Sequence, residues 1–342
     1  MPKSKDLRAP AREPTPFAQL NAVLAPLVGE ARALLGDNFI GAYLQGSFAV
    51  GDADRYSDCD FIIVIRRDLT PEELPPFQAM HAAIHEIPDN PWRNQLEGSY
   101  APAEALRRWS TTPRDPPGED RGEDWGDPGM SGAPARAYPF WYLDHGAKTL
   151  VRSEHDNSQV VRWCLREKGV VLAGPDPREL VDPVPAEALR AEIRHTMALC
   201  ATLELEPMAL AAWQVFWVGL YCRMLHTLTI GKVASKAAGL SWAQGALDPV
   251  WSGLIGRAKA LRKGMAEAAH PADPDDVAAT RAFVRYAIEW AEHRARTQAA
   301  IAQRLALARA GTPRFDPRGR GGPGRGQHAP PAFRPNGRGR RG

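Results

Sequence analysis

The sequence predicts an α/β domain with a mixed sheet, followed by an all-α helical bundle, and three observations carry that expectation. Short apolar runs, Phe39 to Leu44 and Phe61 to Ile65, are bounded by glycine, serine and aspartate, the pattern of buried strands closed by turns. A proline-rich stretch from Pro175 to Pro185 interrupts the chain. After it the apolar period becomes helical: Leu189, Ile193, Met197 and Cys200 recur at three or four residue intervals, as do Val284, Ile288, Ala291 and Ala295, with Ala302 and Leu305 resuming the stripe after Gln298.

Taken in order, residues 1–15 read as a disordered leader and residues 16–182 as the α/β domain, whose third strand is expected near Asn94 to Tyr100. Inside it, residues 112–139 form a long loop, broken by Pro-Arg-Asp-Pro-Pro-Gly-Glu-Asp and Asp-Pro-Gly-Met-Ser-Gly. A stretch of that length is functional or disordered, and its place after the third strand would let it cover an acceptor side. Ser153 to Ser158 reads as a helix start, with Asp156 or Asn157 capping the run through Val160, Val161, Cys164 and Leu165. His155 then reads as a capping-loop residue rather than a catalyst. Residues 183–310 read as a bundle of about five helices, including Leu210 to Leu228, Ser235 to Leu247 and Leu254 to Ala268, with Trp242 and Trp251 filling its core. Residues 311–342, rich in arginine and glycine, cannot bury enough surface to order themselves.

The chemistry is concentrated in Gly46-Ser47 followed by Asp58-Cys59-Asp60 at the head of an apolar run. Side chains alternate along a strand, so Asp58 and Asp60 share one face and Cys59 points to the opposite, core side. Two carboxylates on one face make half a magnesium site, and phosphate transfer from a nucleoside triphosphate needs such a hard cation on oxygen ligands. Gly46-Ser47 ends the first apolar run where the backbone must turn and approach a ligand closely; the hydroxyl and neighbouring amides would hold a phosphate, aided by the dipole of any helix beginning there. Glu97, on a neighbouring stretch, supplies a third carboxylate. Singly, each acid is more simply a solvated strand-end residue; together they predict a metal-dependent nucleotidyl-transfer site.

Gly46, Ser47, Ser57, Asp58 and Asp60, followed by an apolar strand, resemble the Gly-Ser and Ser-Asp-x-Asp pattern of nucleotidyltransferases. Glu97 in Leu-Glu-Gly-Ser-Tyr, the Leu172-Ala-Gly-Pro175 turn, Arg223 in Tyr-Cys-Arg-Met-Leu, and Gly231 to Lys236 with Trp242 extend the likeness from about residue 17 to about residue 305, to the spectinomycin and streptomycin (aminoglycoside) adenylyltransferases. The resemblance implies a polymerase-beta-like nucleotidyltransferase domain before the helical bundle, with Asp58, Asp60 and Glu97 holding two Mg2+ ions and Glu97 serving as catalytic base. It implies ATP as co-substrate between the domains, with Gly46, Ser47 and Ser57 at the nucleotide and Arg223 and Lys236 on its phosphates. AMP would pass to a hydroxyl of a small acceptor and pyrophosphate would leave. At the family's drug-binding places, a tryptophan after the third strand and an Asp and an Asn upstream of the arginine, this chain has roughly Lys148, Trp213 and Phe216. An acidic, amine-binding surface has become apolar, which between the two acceptors, an aminoglycoside with antibiotic resistance as the consequence or another small molecule, favours the second. Two alternatives stand beside it: the same chemistry on a protein or RNA, and a non-catalytic nucleotide-binding module.

With 342 residues, 44% hydrophobic and 24% charged, the chain is long enough for two domains with cores of their own. No apolar run reaches a membrane span, and Met-Pro-Lys-Ser-Lys-Asp lacks a secretory h-region, so a cytoplasmic monomer is expected. Cys59, Cys164, Cys200 and Cys222 are scattered without a C-x-x-C pair, which predicts free thiols rather than zinc or a disulfide framework. Of the net charge of +3, residues 313–342 supply eight arginines against one aspartate; +3 less +7 leaves −4 for the remainder. Such a tail can make weak nucleic-acid contacts through phosphates and stacking, the plainer reading being a solubilising extension.

Overall fold

In the computed structural model, which describes residues 13–55, 57–109, 138–202, 211–263 and 270–310, helix α1 (Ala18–Leu35) leads into strand β1 (Phe39–Leu44). There follow the short helix α2 (Gly46–Ala49), β2 (Cys59–Ile65), α3 (Leu74–His85), β3 (Leu96–Pro102), α4 (Ala103–Arg107), β4 (Phe140–Leu143), β5 (Leu150–Ser153), α5 (Gln159–Lys168), β6 (Val170–Ala173) and α6 (Pro177–Leu180). The strands make one mixed sheet in the order β5-β4-β3-β2-β1-β6. β2 and β3 run parallel because α3 crosses between them, and the other neighbours are antiparallel.

The alternation along β2 decides which face carries chemistry. Cys59, Phe61, Ile63 and Ile65 pack into a core with Leu20, Leu24 and Leu27 of α1 and Phe77 and Met80 of α3. Ile62 and Val64 pack on the other face with Leu106, Val161, Leu165 and Leu180. Each such side chain contributes about 1.5–3 kcal/mol on burial. Asp60 therefore shares the Ile62 face, and Cys59 is fully buried opposite, as its alternation predicts.

The helical part follows as α7 (Ala186–Thr202), α8 (Ala211–Ile230), α9 (Lys236–Ala246), α10 (Ser252–Lys263) and α11 (Pro274–Ala310). Its core joins Met197, Trp217, Tyr221, Leu225, Leu240, Ile255, Phe283 and Ala287. Trp242 stacks on His226 and meets Trp290 edge-on, while Trp251 packs on Phe283 and Tyr286, so both tryptophans fill the core as predicted. The four cysteines are buried and free. Among the described residues no helix is long and apolar enough to cross a membrane.

Three expectations are revised. The cap of α5 is Ser158, whose Oγ accepts from the Val161 amide at 3.1 Å. Asp156 and Asn157 turn inward instead, Asp156 to Ser99 and Gln45 and Asn157 to the Tyr138 carbonyl and Arg162. The stripe through Ala302 and Leu305 is not buried; Leu305 is 54% exposed, and an alanine- and arginine-rich run holds this end helical by propensity. Residues up to Arg294 form one compact unit and those from Ala295 another. Thr15, inside the expected leader, is buried and hydrogen-bonded to Asn21. The rest of that leader, residues 1–12, most of the 112–139 loop and the 311–342 tail lie outside the described residues.

Candidate active site

Parallel pairing of β2 with β3 sets Asp60 directly beside Glu97, and Asp58 lies just ahead of β2. The turn after β1 closes on this pair. Gln45 donates its amide to the Asp60 carbonyl at 2.9 Å, and Gly46 sits at φ +55° where a Cβ would come within 2.0 Å of Asp60 Oδ2. Only glycine fits there, for conformation and for space. Ser47 follows with a buried Oγ that has no hydrogen-bond partner among the described residues.

Four side chains that the sequence reading did not select complete the cluster. Tyr142 donates its hydroxyl to Glu97 Oε1 at 2.7 Å. His155 Nε2 lies 3.1 Å from the same oxygen, and its ring stacks on Tyr142 at 4.9 Å. His155 thus leaves the role of capping-loop bystander: the inward turn that moved the α5 cap to Ser158 carries the imidazole to the carboxylates. His145 Nδ1 lies 2.7 Å from Asp58 Oδ1, and ligand atoms of Asp58, Glu97 and His145 all fall within 4.8 Å of one another. Asp156, buried, accepts from Ser99 Oγ at 2.6 Å and Gln45 Nε2 at 3.2 Å; Gln45 Oε1 in turn accepts from the Gly46 amide at 2.8 Å.

The electrostatics follow from crowding like charges in a partly buried place. Burial pushes the Asp60 carboxyl up to about 8, with Glu97, Asp156 and Asp58 adding and His155 opposing. Burial likewise lifts Asp156 to about 6. For His155 burial works downward, but the hydrogen bond to Glu97 and the charges of Asp156, Glu97 and Asp60 outweigh it and raise the imidazole to about 9, leaving a cation beside the acids at neutral pH. His145 is also raised, chiefly by its hydrogen bond to Asp58.

The two predicted bases come from the helices. Arg223 lies on α8 where Gly239 of α9 packs so closely that a Cβ would be 2.6 Å from the Arg223 Cα. Lys236 opens α9 with its ammonium 4.9 Å over the Phe216 ring. Burial, then Arg223 and Arg262, push the lysine down to about 8, while Asp58 and Asp60 pull it up. Burial also lowers Arg223, which feels Asp60 and Asp52. Both bases are therefore within electrostatic reach of the carboxylates, and neither is a plain solvated helix charge.

The first amides of α9 are taken up by the protein's own side chains. Ser235 Oγ accepts from the Ala238 amide at 3.0 Å, and Asp52 Oδ2 accepts from the Ala237 amide at 3.2 Å while pairing with Arg262 at 2.9 Å. A carboxylate of the protein already satisfies that helix end. The helix at Gly46 is only four residues long and adds little dipole. Ser57 spends its hydroxyl on a turn with Asp54, accepting from the Asp54 amide at 3.0 Å. Lys148 pairs with Glu86, and Trp213, 43% exposed, meets Phe216 edge-on at 5.8 Å.

Three carboxylates at the head of a parallel strand pair, a glycine turn closed against one of them and a helical bundle bringing basic side chains together have the architecture of a nucleotidyltransferase joined to a helical domain. Residues 179–289 match the family model described as aminoglycoside adenylyltransferase, C-terminal domain. The structure is similar to that of spectinomycin adenyltransferase AAD(9) from Enterococcus faecialis with ATP and spectinomycin, at a TM-score of 0.57 and 14% identity over 79% of this chain and 98% of that one. A comparison with curated proteins finds no match. The chain thus resembles the aminoglycoside adenylyltransferases, by sequence over residues 179–289 and by fold over 79% of its length.

Proposed function

We propose that this chain is a Mg2+-dependent adenylyltransferase that moves AMP from ATP to a hydroxyl of a small acceptor and releases pyrophosphate. The observation that carries the reading is the pairing of Asp60 with Glu97 across parallel strands, with Asp58 at the same end and the Gly46 turn closed on Asp60. The donor set fits a hard cation: Asp58 and Glu97 bring carboxylate oxygens within 4.8 Å of one another, with Asp60 paired beside Glu97, and burial together with the charges of Glu97, Asp156 and Asp58 lifts Asp60 to about 8. Asp58, Asp60 and Glu97 would hold it. Bound there, Mg2+ supplies charge neutralisation to the triphosphate.

The remaining work falls to side chains. Arg223 and Lys236 bind and orient phosphate oxygens, as buried cations do with charge-assisted hydrogen bonds. The Ser47 hydroxyl offers a further donor. Glu97 takes the acceptor's proton through Oε2, since Oε1 is held by Tyr142 and His155 and Oε2 has no hydrogen-bond partner among the described residues. General-base help of this kind contributes about 10²–10⁴-fold. The hydroxyl oxygen attacks the α-phosphate, its proton passes to Glu97 and pyrophosphate departs.

The test is Mg2+-dependent release of pyrophosphate from ATP with spectinomycin, other aminoglycosides and hydroxylated aromatic compounds as acceptors. Transfer of AMP to one acceptor, lost in Asp60→Asn, is the expected result. Equal activity in wild type and Asp60→Asn, or no release with any acceptor, sinks the reading.

A further inference from the structure

The Mg2+ reading assigns oxygen ligands from two strands and leaves His145 out of account. His145 stands in the turn between β4 and β5, where Gly146 at φ +71° reverses the chain. The Asp144 carboxylate fixes that turn, accepting from the His145 amide at 2.8 Å. The result delivers Nδ1 to Asp58 at 2.7 Å, on the open side of the acids, with side chains about half exposed. Asp58, Glu97 and His145 bring ligand atoms within 4.8 Å of one another from three separate elements. His155, by contrast, meets Glu97 at 3.1 Å while stacked on Tyr142, and lies outside that group of donors.

Resting on the carboxylate reading above, we propose that His145 is a nitrogen ligand of the divalent cation held by Asp58 and Glu97, so that this position takes a first-row transition-metal ion in preference to Mg2+. The chemistry is that of the donor set. Mg2+ favours all-oxygen coordination and releases its waters reluctantly, whereas imidazole suits Fe2+, Co2+, Ni2+ or Zn2+, with affinity rising from Fe2+ through Co2+ to Ni2+. A plain ion pair between Asp58 and His145 accounts for their contact at 2.7 Å but not for a Glu97 ligand atom within 4.8 Å of both.

Full-length protein is titrated with Co2+, followed by its visible absorption and displaced by Mg2+, and nitrogen coordination is read from the ¹⁴N modulation of bound Mn2+ in pulsed electron paramagnetic resonance. In wild type Co2+ is expected to bind at least about 10-fold tighter than Mg2+, and His145→Ala to lose at least about 10-fold in Co2+ affinity with little change for Mg2+. The ¹⁴N signal is expected in wild type and in His155→Gln and absent in His145→Ala, whose exposed site keeps the thermal melt unchanged. A ¹⁴N signal that survives His145→Ala, or Co2+ affinity unaffected by it, overturns the ligand assignment and leaves an ion pair. If wild type binds neither ion, or Asp58→Asn binds as wild type does, the carboxylate reading falls and this inference with it.

Discussion

The acids at the end of the sheet and the bases on the helices are built in opposite ways. Asp60 and Glu97 owe their positions to strand register: they are backbone neighbours across β2 and β3, and a slip of one residue would turn Asp60 into the core and bring Cys59 out. Arg223 and Lys236 owe theirs to how closely α8 and α9 approach, which Gly239 permits against the Arg223 backbone. The charges are stressed in mirror fashion, since burial pushes Asp60 up to about 8 and Lys236 down to about 8; Asp58 and Asp60 partly relieve the lysine, while His155 relieves Asp60. A group set by periodicity is exact in place and tolerates no change of face. One set by packing depends on small residues that carry no charge at all.

The sheet side breaks hardest. Asp60→Asn keeps the shape and removes the charge, and transfer should fall by roughly 10³-fold, on the scale of losing a principal electrostatic group of an active site. Gly46→Ala should approach it, by about 10²-fold, because its methyl must push the Asp60 carboxyl aside. Gly51→Ala is the control: it too has positive φ, at +71°, but a Cβ there meets nothing within 4 Å. It should lower stability by about 1 kcal/mol and leave activity near wild type. Equal losses from the two glycines would show that backbone strain, not the approach to Asp60, makes the turn sensitive.

That contrast also explains what could be seen in the sequence. Asp58, Asp60, Glu97 and the Gly46 turn stand beside apolar runs whose alternation names their face, so both the strands and the acids were legible. The helices between Ala186 and Ala310 were legible from their three- to four-residue period, α8 and α9 within about two residues at each end, whereas α11 begins at Pro274, well before Val284, and the expected end at Ala268 lies outside the described residues. Tyr142, His145 and His155 were not, because they follow the long loop and reach the acids only through the pairing of β4 with β3 and the inward turn before α5. The one available signal was the spacing of Tyr142 and Asp144, polar groups two apart at the end of an apolar strand. Asp52 was invisible for a different reason. Its partners, Ala237 and Arg262, lie 185 and 210 residues away, and no local pattern encodes that meeting.

On the helical side the expected losses are smaller and tied to pH. Lys236→Met should reduce kcat/KM for ATP by roughly 10–100-fold, the worth of one charge-assisted hydrogen bond to phosphate. Because the folded protein holds this lysine at about 8 against an ordinary 10.5, it sheds its proton before the unfolded chain does. The charged form is thus a burden on folding below about pH 8, and that burden fades as pH rises from 8 to 10.5. Lys236→Met is accordingly expected to raise stability at pH 7 by about 1–2 kcal/mol in denaturant unfolding, after allowance for its partial exposure. In wild type kcat/KM for ATP should decline as pH passes through about 8, and in Lys236→Arg it should not. A pH profile shared by both proteins would place the titration elsewhere.

The smallest effect sharpens the comparison most, because Asp52 joins the two sides. Asp52→Asn keeps an acceptor for the Ala237 amide and removes only the ion pair with Arg262, which at partly exposed sites is worth about 1 kcal/mol. Asp52→Ala removes both and should cost about 2 kcal/mol in urea unfolding. If the bases rather than the helix end meet the nucleotide, neither change should move KM for ATP by more than about 2-fold. Tighter ATP binding in Asp52→Ala would mean that the freed amides of α9 accept phosphate once the protein's own carboxylate is gone. The helical side would then be set by backbone geometry, as the sheet side is, and the contrast between the two would dissolve.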